Sequence, residues 1–230
     1  MAGIDGNIEK VLGEISEYCG KAGVPDGSVH LVAVSKTVDA GKIREAYDAG
    51  LRMFGENKVQ EFVKKSEELP KEIKWNLIGQ LQTNKVKYII NKGVFLLHSL
   101  DRLSLAQAIQ KQCDREGASL DALIQLNLTH EETKAGLDET ELDSFLEELE
   151  KLDKIRVRGI MTIGPTFGDE KEIRTVFARA KRIYDDIGRQ LPDIQYLSMG
   201  MSHDFGWAIL EGSNMVRVGT AVFGERDYTA

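Results

Sequence analysis

The chain has 230 residues, 42% of them hydrophobic, enough for the core of one large domain or two small ones. Thirty Lys and Arg against 37 Asp and Glu leave a formal net charge of −7. That balance argues against a nucleic-acid partner, whose backbone is gripped by Lys and Arg neutralising phosphates, but not against a small anion held by a local cluster of donors.

The elements follow a repeating pattern of short apolar run and amphipathic helix. The opening helix carries Ile8, Val11, Leu12, Ile15, Tyr18 and Cys19 at a 3.6-residue spacing, with Gly20 as its predicted stop. Strand one is 31–35, and Asp39 is placed to cap a helix with Ile43, Ala46 and Tyr47 on its inner face and Gly50 at its end. Strand two is 52–54, followed by a helix with Val59, Phe62 and Val63 that stops before Pro70. Strand three is 74–78, with a helix capped by Thr83; strand four is 94–98, with Leu105, Ile109 and Cys113 on one side of its helix. Strand five is 122–127, and Asp138-Glu139-Thr140-Glu141 has the spacing of a capping box before Leu142, Phe145, Leu146 and Leu149. Strand six is 157–161, and its helix has the best apolar stripe, from Ile173 to Ile187. Strand seven is 196–198, a helix spans about 203–211, and strand eight is 215–218. Eight strands alternating with helices predict a (β/α)8 TIM-type barrel with an extra N-terminal helix, one domain over 1–230; an open doubly wound sheet is the runner-up.

Cys19 and Cys113, the only cysteines, fall on apolar helix faces and read as buried, reduced thiols, with no disulfide framework or zinc pattern; the four histidines lack metal-ligand spacing. The start, MAGIDGNIEKVLGEI, is not a basic, apolar leader, and no apolar run nears the roughly 20 residues that span a bilayer. A cytoplasmic protein without metal or membrane segment is expected.

A barrel places its chemistry at the C-terminal strand ends. Here these are Ser35-Lys36-Thr37, Gly55-Glu56-Asn57, 79–82, Ser99, Asn127, Met161-Thr162, 198–202 and 217–220. Lys36 follows a buried-type strand and either snorkels to solvent or projects into the barrel mouth, where desolvation would free its amine to attack a carbonyl. The loops after strands seven and eight form phosphate sites in many barrels, and Gly200, Ser202, Gly219 and Thr220 supply backbone freedom, N–H groups and hydroxyls there. Glu56-Asn57 either orient a ligand or cap the next helix; Asp204 reads as a helix cap, and Lys85, Lys87 and Lys134 as solvated. A lysine facing two such loops suggests an aldehyde that carries a phosphate.

At these residues the chain resembles the pyridoxal phosphate homeostasis protein family over nearly its whole length. The segments are VAVSKT at 32–37, FGENKVQE at 54–61, IGQLQTNK at 78–85, HSLD at 98–101, GIMTI at 159–163, LSMGMSHDF at 197–205 and VRVGTAVFGER at 216–226. The resemblance implies the fold of the alanine racemase barrel domain (fold type III of pyridoxal 5'-phosphate, PLP, proteins). It implies Lys36 as the Schiff-base lysine, Ser202, Gly219 and Thr220 around the phosphate, and Arg217 facing the pyridine nitrogen. The expected cofactor-binding set is Lys36, Asn57, Ser202, Arg217, Gly219 and Thr220, with no catalytic and no metal-binding residue. Val38 departs from a lysine often found at that position in the family, while Lys134 falls where a lysine has been linked to a second cofactor site. The implied role is non-catalytic PLP carriage in vitamin B6 homeostasis, by a monomer whose partners are PLP and PLP-dependent apoenzymes. Alternatives are a PLP-dependent racemase-like enzyme, against which the short stretch after strand eight argues, and a metabolite-binding barrel without PLP.

Overall fold

A computed structural model describes residues 3–131, 133–191 and 193–224. Eight parallel strands close into a barrel in chain order, so the doubly wound alternative falls away. The strands are β1 (His30–Val34), β2 (Met53–Glu56), β3 (Lys74–Leu77), β4 (Val94–Leu100), β5 (Leu120–Leu126), β6 (Ile155–Thr162), β7 (Tyr196–Ser198) and β8 (Met215–Val218). Closure is made by β1 against β8, with Leu31 opposite Val216, Val32 opposite Arg217 and Ala33 opposite Val218. The helices are α1 (Ile4–Ala22), α2 (Ala40–Asp48), α3 (Val59–Glu68), α4 (Leu103–Glu116), α5 (Leu142–Leu149), α6 (Glu170–Gly188), α7 (Phe205–Leu210) and α8 (Thr220–Phe223).

Two apolar cores follow from the alternation of strand side chains. Val32, Leu96, Leu123, Met161 and Met215 fill one, and a larger one lies between strands and helices, including Phe54, Phe62, Ile109 and Phe177. Cys19 and Cys113 are buried and unpaired, and burial raises both thiol pKa values. Among the described residues no helix is long and apolar enough to cross a membrane, and no group of three His, Cys, Asp or Glu side chains is placed to hold a metal ion.

Several local expectations are met. Asp39 accepts from the Lys42 N–H at the start of α2, and Asp138 with Glu141 forms a capping box, here on a one-turn 3₁₀ helix ahead of α5. Others are corrected. The first helix runs past Gly20 and ends at Gly23 in the left-handed region; a glycine inside a helix costs only about 1 kcal/mol relative to alanine and need not end it. Leu12 is 44% exposed, on the edge of the stripe rather than in it. Thr83 caps nothing: it begins a 3₁₀ helix, Thr83–Tyr88, with Gln82 before it. Asp204 precedes α7 without capping it; its carboxylate instead accepts from the Met201 N–H at 2.5 Å.

The N-terminal helix packs on the outside of the barrel against α2, α7 and α8. Asn7 Nδ2 donates to the Val222 carbonyl of α8 at 3.1 Å. The Tyr18 ring meets Phe205 edge-on at 6.3 Å and lies against Gly206, where a β-carbon would run into it.

Candidate functional site

A cavity of about 450 Å³ opens at the C-terminal end of the barrel. Its lining contains all six expected residues, Lys36, Asn57, Ser202, Arg217, Gly219 and Thr220. They come from four strand ends that the sequence keeps far apart and the closed sheet brings together: β1, β2, β7 and β8. Other grooves on the molecule are larger or comparable in volume, but none collects these side chains.

Lys36 lies one residue past β1's neighbour Ser35 and is half-buried. The backbone on either side of it is tied down. Ser35 Oγ donates to Glu56 Oε1 at 2.6 Å. Lys65 Nζ, reaching in from α3, donates to the Ser35 carbonyl and to Glu56 Oε1, both at 2.8 Å, and to Glu61 Oε2 at 3.3 Å. Glu61 Oε2 in turn accepts from the Thr37 N–H at 2.8 Å. Thr37 has φ 64°, a left-handed backbone that costs a non-glycine residue on the order of 1–3 kcal/mol. Burial raises the Glu56 pKa against the opposing hydrogen bonds of Lys65 and Ser35. For Glu61, burial raises the pKa, but the Thr37 N–H and Lys65 outweigh it, and the net shift is downward. Glu56 therefore supports the lysine's segment and caps no helix, while its neighbour Asn57 faces the cavity.

Arg217 is 5% exposed. Nη1 donates to Ser198 Oγ at 2.7 Å and Nη2 to the Thr162 carbonyl at 2.9 Å, which sets the plane of the guanidinium. Burial pulls its pKa down to about 10, partly offset by the Asp204 charge, so it remains a cation at neutral pH. Behind Ser198 stands His98, fully buried and held well below its ordinary pKa by desolvation and by the Arg217 charge. Ser198 Oγ lies 3.3 Å from His98 Nδ1, and His98 Nε2 lies 3.0 Å from Asn76 Oδ1. The only neutral tautomer that satisfies both contacts carries its proton on Nε2, giving a directional chain Arg217 → Ser198 → His98 → Asn76.

The loops after β7 and β8 are tight turns at the cavity rim. Gly200 has φ 95°, and a β-carbon there would press on Ala208 and on the Phe205 backbone. Ser202 follows within the same turn, and Gly219-Thr220 begin the short α8.

Lys134 corrects the solvated reading. It lines the cavity, its side chain is only 14% exposed, and Nζ donates to Glu131 Oε1 at 2.6 Å and to the Gly164 carbonyl at 2.7 Å. The Lys134 hydrogen bond, joined by bonds from Thr166, lowers the Glu131 pKa to about 2. Lys85 and Lys87 instead flank the half-exposed Tyr88 ring. Val38, the position of the departure, packs against the core. Asn127 and Ser99 do not line the cavity. Asn127 ties its own loop to the Glu131 and Lys134 carbonyls, and Ser99 donates to the Gly79 carbonyl. Gln125, Thr133 and His203 also line the cavity. Glu225 and Arg226 of the last motif lie outside the described residues.

The family described as alanine racemase, N-terminal domain, matches residues 21–227. The pyridoxal phosphate homeostasis protein of Aquifex aeolicus is 43% identical over 223 residues, 96% of this chain and 97% of that protein. Among solved structures, PipY of Synechococcus elongatus, described with PLP bound, superposes with a TM-score of 0.83 at 35% identity, covering 96% of this chain and all of that one. Alanine racemase of Bartonella henselae, at 16% identity and a TM-score of 0.68, covers 97% of this chain and 61% of its own; it shares the fold alone.

Proposed function

We propose, from the premise that this chain belongs to the pyridoxal phosphate homeostasis protein family, that it holds PLP in the barrel-mouth cavity and serves vitamin B6 homeostasis without catalytic turnover. The observation that carries the reading is the meeting of Lys36, Asn57, Ser202, Arg217, Gly219 and Thr220 on one cavity. The donor set fits this cofactor: an amine for the aldehyde, a buried guanidinium for the ring nitrogen, hydroxyls and backbone N–H groups for the phosphate. When bound, PLP supplies a conjugated electron sink.

The chain's own groups would act as follows. The Lys36 amine would hold the aldehyde carbon as a Schiff base, the aldehyde oxygen leaving as one water. Ser202 and Thr220 donate hydroxyl hydrogens to phosphate oxygens, beside the backbone of Gly219. Asn57 orients the ring from the β2 side. Arg217 would donate to the ring nitrogen and, with no lone pair to take up a proton, would leave that nitrogen unprotonated and the sink weak. That property suits a carrier and equally a racemase that avoids side reactions, so the choice of carriage does not rest on it. We assign no catalytic or metal-binding residue, and read the whole of 1–230 as one domain, working as a cytoplasmic monomer with PLP-dependent apoenzymes as partners and no nucleic acid or membrane. Lys134, already in the cavity wall, is the candidate for a second contact with PLP.

The test is borohydride reduction of the purified, yellow protein followed by peptide mass spectrometry. The expected result is a pyridoxyl group on Lys36, lost in Lys36→Ala, with alanine and serine racemised far more slowly than about 1 per second. Labelling confined to other lysines, or racemisation at that rate, would overturn the reading.

A further inference from the structure

Lys65 sits where α3 faces the core, in line with the buried Val59 and Phe62, and is itself 7% exposed. An ammonium there is not explained by stability: a buried ion pair gains little over an apolar side chain of similar volume. The same holds for Glu56, which is fully buried and has one carboxylate oxygen, Oε2, with no hydrogen-bond partner among the described residues. What the group does have is a common target. Lys65 takes the carbonyl of Ser35 and both carboxylates; one carboxylate takes the hydroxyl of Ser35, the other the N–H of Thr37. Every one of these bonds ends on a residue adjoining Lys36 or on a group that holds one. They grip the main chain immediately before and after it, and keep Thr37 at its left-handed angle. Such angles persist only where the surroundings over-determine them, and they cluster where a side chain must be aimed.

We infer that Lys65 is a positioning residue for Lys36: through the Ser35 carbonyl, Glu56 and Glu61 it fixes the backbone from which the Lys36 amine reaches the cofactor aldehyde. The inference rests on the reading of Lys36 as the lysine that bonds PLP. It separates two quantities. Affinity for PLP before bonding depends on the phosphate loops and Arg217, which Lys65 does not touch. The rate of bonding depends on where the Lys36 amine stands, and a misplacement near 1 Å can cost up to about a hundredfold.

The experiment uses full-length protein stripped of cofactor and supplied with PLP, following attachment to Lys36 by borohydride quench and peptide mass. In Lys65→Met the rate at saturating PLP should fall by about tenfold or more, while the PLP concentration giving half-maximal rate changes by less than about threefold. Lys65→Arg, which can still reach a carbonyl and a carboxylate, should recover part of the rate. Glu61→Ala leaves the Lys65–Glu56 pair in place and removes both the acceptor of the Thr37 N–H and the 3.3 Å contact to Lys65 Nζ; it should slow attachment by about fivefold, and it decides the matter if Lys65→Met does not fold. Attachment at the wild-type rate in Glu61→Ala and in any folded Lys65→Met, or a change confined to the half-saturating concentration, would refute the role of Lys65. Absence of attachment to Lys36 in the unaltered protein would remove the underlying reading, and the inference with it.

Discussion

In the proposed site Arg217 and the two loop hydroxyls have separable roles, Arg217 toward the ring of PLP and Ser202 and Thr220 toward its phosphate. Arg217→Met keeps the stem's packing but leaves Ser198 Oγ and the Thr162 carbonyl without a buried donor, at about 1–3 kcal/mol of stability. It should shift the visible spectrum of the holoprotein while PLP retention changes by less than about threefold. Ser202→Ala combined with Thr220→Val should do the reverse, weakening retention by about tenfold with little change in the spectrum, as two charge-assisted hydrogen bonds are lost. Equilibrium dialysis alongside absorbance checks both. Retention lost on Arg217→Met with a spectral shift confined to the double variant would mean that the cofactor lies the other way round, and equal loss in both would refute the division of roles.

At the scale of elements, α1 matters because of what it leans on. Tyr18 lies against Gly206 at the start of α7, whose preceding turn holds Ser202, and Asn7 holds the end of α8, which begins at Thr220. Both loops proposed to hold the phosphate are thus braced from outside by a helix that is not part of the repeating unit. Gly206→Ala should cost about 1–3 kcal/mol by overpacking. In a Tyr18→Ala background, where the ring is gone, the same change should cost less than about 0.5 kcal/mol. Urea denaturation of the four proteins measures the coupling; additive costs would show that the two side chains do not meet. Nothing in the stripe of α1 foretold this bracing. The periodicity reveals that a face is apolar, and placed Ile8, Val11 and Ile15 correctly, but it does not say which elements cover that face, and it drew in Leu12, which solvent reaches.

For the molecule as a whole, burial of His98 links stability to pH. In the folded chain its pKa lies well below 6.5, because desolvation and then the Arg217 charge oppose protonation; the unfolded chain takes up the proton near 6.5. The unfolded state therefore binds more protons as pH falls below 6.5, and the stability present above that value declines by up to about 1.4 kcal/mol per pH unit. Glu56 and Asp204, whose carboxyls burial raises, act with the opposite sign, so the comparison that isolates the histidine is His98→Gln. Its denaturation midpoints should fall less steeply than wild type between about pH 5 and 6.5; parallel curves would refute the argument. The barrel itself was legible because each of eight apolar runs is followed by a helical stripe, and the site because polar residues gather at the strand ends. The layer behind it was not. Lys65 looks like any helix lysine until α3 turns it toward Ser35, and Lys134 looks solvated until Gly164, thirty residues on, comes to its side. Partners supplied by tertiary structure leave no local periodic signal. The seam of the barrel has a consequence in time. Lys36 stands at the end of the first strand, and Arg217, Gly219 and Thr220 on or after the last, hydrogen-bonded to it. A ribosome releases the first long before the others, so a nascent chain carries Lys36 without the groups that would retain a ligand beside it. The proposed site comes into being only when the ring of strands shuts, and occupancy by PLP would then mark molecules whose synthesis has reached the eighth strand and whose folding has joined it to the first.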